Sequence, residues 1–283
     1  MLRWLRTTLA IELHMEDDLV AFRLLPQTMV EHVVLKRNLK WYSLLEYLHA
    51  PQWVIESMPQ EIVQRVESYR GVSHSDVLDT LLALPCLMSL DIDGVMDLRA
   101  LHEPRGDAYR TSRQRGLDDA FLQPIAQRHP RLRRLYLRDT HVSQSGIEGF
   151  RFLEELGVGG CKKINNVHFC AGTLRVLYAR DTSINDEGLA NAVHLEVLDV
   201  SYCPGVTSVA PFAATLRSLN AESNCGINSA ALVHAMNLEF LNVSENVTIT
   251  TLQPFAHSLK ELIAWYNCGL DSAAVAQATR LVK

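Results

Sequence analysis

The chain has 283 residues, of which 48% are apolar and 21% are charged, and its formal net charge is −5. These values are typical of a folded protein with a sizeable core, and they exclude a disordered chain and an overall nucleic-acid-binding charge. No apolar run approaches the roughly 20 residues that span a bilayer, so we expect no membrane interaction.

The first 83 residues carry no repeat and have helical patterns at 26–49, at 61–69 behind a capping box at 57–60, and at 73–82. We interpret this region as a helical N-terminal cap that covers the first strand of a repeat array. The alternative is a docking module. The stretch MPQEIVQRVESY is faintly similar to the opening of an F-box, although the tryptophan that closes an F-box is absent at the expected distance.

The repeat region is expected to span residues 84–283, and its first strand phrase, LMSLDIDGV, begins at Leu87. The next phrase begins only at Leu132, 45 residues later. Between them, residues 102–116 are polar and unpatterned, which indicates an insertion, and residues 116–132 read as a normal return segment.

Arginine is concentrated around this insertion. Nine arginines and three aspartates lie between Arg105 and Arg138, a local charge of +6. Such a run is either a solvated surface or a contact for phosphates or an acidic protein. The candidate contacts are Arg105, Arg110, Arg113, Arg115 and Arg133.

From Leu132 onward one nine-residue phrase recurs seven times, in steps of 21 or 22 residues. The phrases are LRRLYLRDT, LEELGVGGC, LRVLYARDT, LEVLDVSYC, LRSLNAESN, LEFLNVSEN and LKELIAWYN. Positions one, four and six are apolar, and the last two of these alternate as in a strand that is buried on one face. Stacked strands of this kind form a parallel sheet whose stability is a sum over neighbouring interfaces.

The phrases resemble the leucine-rich-repeat pattern LxxLxLxxN. The motif of Cys or Asn, a spacer and then Ile-Asn-Asp-x-Gly-Leu is similar to the cysteine-containing repeats found behind F-box domains. The resemblance implies an α/β solenoid with a concave parallel sheet, a convex side of short helices or irregular segments, and scaffold or adaptor work. The ninth residue should turn the chain and satisfy buried backbone groups. This predicted ladder is Thr140, Cys161, Thr182, Cys203, Asn224, Asn246 and Asn267.

Positions three, five, seven and eight of each phrase should point out from the concave sheet and form a binding surface. Two Tyr-Arg pairs, 136/138 and 178/180, should flank a notch at Gly157, Gly159 and Gly160. Aromatic residues in the last phrases form a second cluster, which is either an interface or covered by later residues. The predicted partner-binding residues are Arg134, Tyr136, Arg138, Tyr178, Arg180, Asp199, Tyr202, Phe240, Trp265 and Tyr266.

Motifs for catalysis, metals and cofactors are not found, and the cysteines lack a Cys-x-x-Cys spacing. We therefore predict a non-enzymatic scaffold that binds a protein partner within a larger complex, without a cofactor or a small-molecule substrate. Two alternatives stay open: a substrate receptor of a ubiquitin ligase, and a ribonucleoprotein component that contacts RNA through the 105–138 arginines. An intracellular location, cytoplasm or nucleus, is expected, with the Arg-containing start MLRWLRTTLAI compatible with a mitochondrial presequence.

Overall fold

The computed structural model describes residues 117–282 without a gap, together with 68–70, 78, 81–82, 84 and 87–92; for 68–70 the backbone alone is described. Within this part of the chain, nine three-residue strands form one parallel sheet in sequence order. The strands are β1 (Ser68–Arg70), β2 (Ser89–Asp91), β3 (Arg134–Tyr136), β4 (Glu155–Gly157), β5 (Val176–Tyr178), β6 (Val197–Asp199), β7 (Ser218–Asn220), β8 (Phe240–Asn242) and β9 (Glu261–Ile263).

The leucine at position four of each phrase aligns the sheet. Leu135 pairs with Leu156, and Leu177 pairs with Leu198, at the centre of neighbouring strands. The side chains of these four leucines are at most 1% exposed. The predicted solenoid with strands lying side by side is therefore confirmed.

The convex side consists of short helices and turns, as the pattern predicts. Within residues 117–282 the longest helix is α1 (Asp119–Arg128), which begins where the Asp118 carboxylate accepts the Phe121 amide at 3.1 Å. The other helices are α2 (Gln144–Ile147), α3 (Asp186–Leu189), α4 (Ser272–Ala276) and the 3-10 turns Ala210–Phe212, Ser229–Leu232 and Gln253–Phe255.

The convex segments alternate with a period of two repeats. Asn185, Asn228 and Asp271 each cap a helix or 3-10 turn by accepting a backbone amide three residues ahead. In the intervening repeats, Phe212 and Phe255 are buried, and Pro opens each of the two 3-10 turns. The structural unit from Asn185 onward is thus a pair of repeats.

The sheet begins earlier than predicted, before the domain boundary at residue 84. Strand β1 pairs in register with β2, although Ser68 and Tyr69 belong to a segment that the sequence pattern assigns to a helix. The phrase that contains β1 starts at Val66 and places Tyr69 where a leucine stands elsewhere and Gly71 where a larger apolar residue stands elsewhere. It lies 21 residues before Leu87, so the repeat spacing alone indicates the strand.

Strands β2 and β3 are neighbours in the sheet although their phrases start 45 residues apart. Leu78, Leu81 and Leu82 are helical, as expected of the segment before β2. The remainder of the predicted helical cap and the insertion at 102–116, with Arg105, Arg110, Arg113 and Arg115, lie outside the described residues. Among the described helices, none is long and apolar enough to cross a membrane.

Candidate partner-binding surface on the concave face

Each strand from β3 to β9 is followed by a turn in which the eighth residue of the phrase adopts a left-handed backbone conformation. Asp139, Asp181, Tyr202, Ser223, Glu245 and Tyr266 have φ between 57° and 59°, and Gly160 has φ 79°. L-residues adopt this conformation at a cost, so its recurrence shows that the stack imposes the turn. The turn carries the side chains of positions seven and eight to one rim of the concave face.

In the four repeats that begin with the Leu132 phrase, the ninth residue of the phrase is buried inside this turn. Thr140 donates its hydroxyl to the Leu137 carbonyl at 2.8 Å, and Cys161 of the next repeat lies 3.0 Å from the same oxygen. Thr182 and Cys203 repeat this arrangement on the carbonyl of Ala179. A Thr and a Cys from adjacent turns thus share one buried carbonyl.

Asn246 satisfies more backbone groups than these residues do. Its amide nitrogen donates to Ala221 O at 2.9 Å, and its amide oxygen accepts the N–H groups of Thr248 and Ile249 at 2.9 and 3.2 Å. The side chain is 2% exposed. Asn has both donor and acceptor groups, which is why it suits this position.

The structure differs from the predicted ladder at Asn224 and Asn267, both of which are exposed. The following residues point inward instead: Cys225 is 8% exposed with Sγ 3.3 Å from Ala221 O, and Cys268 is partly buried. A Cys-Gly pair follows the asparagine in both repeats, and the turn tightens so that the cysteine N–H donates to the carbonyl two residues back. The sequence signal is the Asn-Cys-Gly triplet, which only these two repeats contain.

Acidic and amide side chains at position five also stabilise the turns, which the sequence pattern does not reveal. Asp199, Asn220 and Asn242 each accept the backbone N–H two residues ahead. Asp199 additionally accepts the Ser201 hydroxyl at 2.6 Å. The predicted partner-binding residue Asp199 therefore has a role within its own turn.

The predicted notch at Gly157 is filled. The Tyr136 ring lies across this glycine, and a Cβ added to Gly157 would lie 2.6 Å from the ring. The Tyr136 hydroxyl donates to Glu155, and burial together with this carboxylate raises the pKa of the phenol. Tyr136 is consequently half-buried, and its ring edge is held within the sheet surface.

Tyr178, Arg180 and Tyr202 form an exposed group in the middle of the concave face. The Arg180 guanidinium carbon lies 4.5 Å from the centroid of the Tyr202 ring, and its Nη1 is 3.4 Å from Glu222 Oε2. Tyr178 and Tyr202 are 39% and 37% exposed. Asp181, the chain neighbour of Arg180, pairs with Lys162 instead.

A second aromatic group lies on the last strand. Trp265 and Tyr266 are 66% and 82% exposed, and Phe240 on β8 is partly buried. The residues that follow β9 leave both large rings exposed, so among the described residues none covers this cluster. Arg134 and Arg138 are exposed at the other end of the sheet.

The described arginines of the basic run are engaged in different ways. Arg128 donates to Leu82 O at 3.1 Å, and Arg133 pairs with Glu154. Together with Arg131 and the exposed Phe152, they line a groove beside the start of β2 and β3.

In the seven phrases from Leu132 onward, the second residues form a column of alternating charge that the sequence pattern also contains. Ion pairs join Arg175 to Glu196, and both Arg217 and Lys260 to Glu239. The full column is Arg133, Glu154, Arg175, Glu196, Arg217, Glu239 and Lys260. Opposite charges therefore face each other at every step along this rim.

The buried thiols are poor nucleophiles. Burial raises the pKa of Cys170 to about 12 and raises the pKa of Cys225 as well, so both thiols stay protonated at neutral pH. Among the described residues, no group of three His, Cys, Asp or Glu side chains could hold a metal ion.

Comparison with known proteins shows the fold alone. No protein-family model and no curated protein matches the chain. An internalin (inlF) from Listeria monocytogenes is similar over 81% of this chain and 71% of its own, with 18% identity and a TM-score of 0.55. The yeast Rad7 and Elc1 complex is similar over 78% of this chain and 64% of the matched chain, with 15% identity and a TM-score of 0.53. These neighbours support a leucine-rich-repeat type of protein and do not identify the cysteine-containing subtype.

Proposed function

We propose that this leucine-rich-repeat chain is a non-enzymatic scaffold that holds a protein partner on its concave face. The observation that carries the proposal is the exposed group of Tyr178, Arg180 and Tyr202 at the centre of the sheet. Tyr and Arg are enriched among the residues that dominate interface energies, and a central position favours exclusion of water from the contact.

Preorganisation strengthens the proposal. Tyr202 and Glu222 hold the Arg180 guanidinium from two sides, so Arg180 loses less rotamer freedom on binding than a free side chain would. The strands beneath are joined by backbone hydrogen bonds to both neighbours. A partner would therefore meet a rigid surface.

The test is affinity purification of the full chain followed by mass spectrometry. We expect Tyr178→Ala with Arg180→Ala to lose partners that the unaltered chain retains. The matched control is Arg151→Ala with Val193→Ala, two exposed side chains in the turns before β4 and β6. Identical partner sets for the two double variants would remove the concave face as the binding surface.

The groove lined by Arg128, Arg131 and Arg133 favours one alternative, RNA binding within a ribonucleoprotein. Binding of a single-stranded RNA should then fall steeply with added salt and weaken on Arg131→Ala. RNA affinity that is independent of salt, or unchanged by this substitution, would exclude the groove as an RNA site.

The ubiquitin-ligase alternative depends on residues 1–80, of which the structure describes only 68–70 and Leu78. Its test is copurification of a ligase subunit that is lost when residues 1–67 are deleted, while β1 is retained.

A further inference from the structure

We infer that the C-terminal half of the concave face takes a partner segment that carries arginine or lysine. The site is an acidic-aromatic patch formed by Tyr202, Glu222, Glu245, Trp265 and Tyr266. This inference rests on the proposed function and adds the chemical class of the partner.

The repeat register brings the patch together. All five residues occupy position seven or eight of four successive phrases. Backbone hydrogen bonds join the turns, from Ser223 N to Ser244 O at 2.8 Å and from Glu245 N to Trp265 O at 3.2 Å. Neighbouring strands in a sheet lie about 4.8 Å apart, so side chains from adjacent turns can contact the same partner residue.

The charges of this half are strongly unequal. Residues 196–266 contain six carboxylates and two cations, a net charge of −4. Both cations, Arg217 and Lys260, pair with Glu239 on the opposite rim. All eight charges belong to strand phrases, and the connecting segments 203–215, 224–237 and 246–258 contain none. The negative charge is therefore concentrated on the strand side of the solenoid.

The molecule itself contains the interaction that we infer. Arg180 lies over the Tyr202 ring with the Glu222 carboxylate beside it, 3.4 Å from its Nη1. Trp265, Tyr266 and Glu245 place rings and a carboxylate at the same turn positions farther along the stack. From Asp181 to Tyr266, no lysine or arginine occupies position seven or eight.

A cation from a partner would complete this second arrangement. Indole and phenol faces attract guanidinium and ammonium groups, most strongly where the contact excludes water. Adjacent carboxylates add charge complementarity, which also speeds association at low salt. An acidic protein or a nucleic acid would be repelled by the same charges.

The test is fluorescence anisotropy of the full chain with a labelled peptide of alternating Arg and Ser. Matched peptides carry Gln or Glu in place of each Arg. We expect the Arg peptide to bind at low salt, the Gln peptide to bind at least about tenfold more weakly, and the Glu peptide not to bind. Trp265→Ala with Tyr266→Ala, and separately Glu245→Gln with the neighbouring exposed Glu261→Gln, should each reduce affinity about tenfold.

The control is Glu148→Gln with Glu187→Gln, which removes two exposed carboxylates from the convex side and gives the same net charge as the patch variant. Circular dichroism checks that every variant is folded. No binding of the Arg peptide, equal binding of the Gln peptide, or equal loss in the control would overturn the inference. If these results occur while the Tyr178/Arg180 variant still loses its partners, the proposed function stands and only the basic partner chemistry fails.

Discussion

Asn246 shows how one side chain can close a turn and join it to the preceding repeat. Its amide reaches a carbonyl of the preceding repeat and two amides of its own. Thr and Cys residues do less, because a hydroxyl or a thiol has no second polar group at amide distance. Thr140 Oγ1 and Cys161 Sγ lie 3.3 Å apart, so two side chains from adjacent repeats together make the contacts that Asn246 makes alone.

The ladder makes a sharp prediction for the asparagines. Asn246→Ala should lower the free energy of unfolding by about 3 kcal/mol, because three backbone groups lose a buried partner. Asn224→Ala should change it by less than about 0.5 kcal/mol, since Asn224 is exposed. Urea denaturation followed by circular dichroism measures the free energy of unfolding of both variants. Equal losses of stability would show that an asparagine at the ninth position stabilises the fold whether or not its side chain is buried.

The left-handed turn predicts a specific sensitivity at Gly160. Gly160→Ala should cost about 1–2 kcal/mol, since φ is 79° and the new methyl would clash with the Asp139 carboxylate. Gly172→Ala, where an added Cβ meets no atom within 4 Å, is the control and should be near neutral. The thermal unfolding midpoints of the two variants and the unaltered chain measure this difference. An unchanged midpoint for Gly160→Ala would contradict the left-handed turn geometry.

At the scale of the element, each strand is short and is defined by its neighbours. Three residues cannot form a stable strand alone, and every strand from β2 to β8 has a partner on both sides. The alternating charge column favours the correct order of strands. If a strand paired with the next repeat but one, like charges would lie beside each other.

Charge reversal tests this column. Arg175→Glu would place three carboxylates in succession with Glu154 and Glu196, and should destabilise the chain by about 1 kcal/mol at low salt. The loss should shrink in 1 M salt, where exposed charges are screened. Arg175→Gln is the control with a smaller effect, and a loss independent of salt would indicate a packing defect instead.

A carboxylate joins the helices α1 and α2. Asp119 accepts the Ser143 amide at 2.7 Å and the Ser145 hydroxyl at 3.0 Å. Burial tends to raise the pKa of this carboxyl, but hydrogen bonds from Ser143 and Ser145 outweigh it and lower the pKa.

A lowered folded-state pKa stabilises the protein above the ordinary carboxyl pKa, and this stability is lost as the pH falls through the folded value. Asp119→Asn should therefore cost about 1–2 kcal/mol at pH 7. The difference from the unaltered chain should disappear as the pH falls from about 5 to below 3. Urea titrations at several pH values check this, and a difference that persists in acid would exclude the ionised hydrogen bonds as its cause.

At the scale of the whole molecule, the described core is one continuous apolar cluster built around the stacked leucines, and stability is a sum over interfaces between repeats. An interior repeat contributes two interfaces, whereas β9 contacts one strand. Leu198→Ala should thus cost about 2–5 kcal/mol. Leu262→Ala, at a partly buried site, should cost clearly less. Denaturation of both variants measures the difference, and equal losses would show that the solenoid does not behave as a row of coupled units.

The same continuity makes the concave face rigid and sets the distance between its two aromatic groups. Tyr178 and Trp265 come from repeats that are four strands apart, roughly 19 Å at the spacing of a sheet. An extended partner segment of about six residues spans that distance. The central group and the acidic-aromatic patch could therefore bind one partner together.

The repeat period by itself determined the fold class, the inward leucines and the register of eight strands. A period of 21 or 22 residues returns the same apolar positions to the same place, so a local pattern is sufficient. The period also contained β1 and the charge column, although the leucine motif does not show either.

Only the tertiary structure decided which side chains enter the turns and how the concave residues lie. Cys225 takes the buried position that the pattern assigns to Asn224, and the Tyr136 ring covers Gly157. Arg180 contacts Tyr202 and Glu222 and not its chain neighbour Asp181. Each outcome involves atoms from another repeat, 20 or more residues away along the chain: Asn246 Nδ2 donates to Cys225 Sγ at 3.4 Å, and Glu222 lies two repeats beyond Arg180. A pattern within one repeat does not contain those contacts, because they arise when the repeats stack.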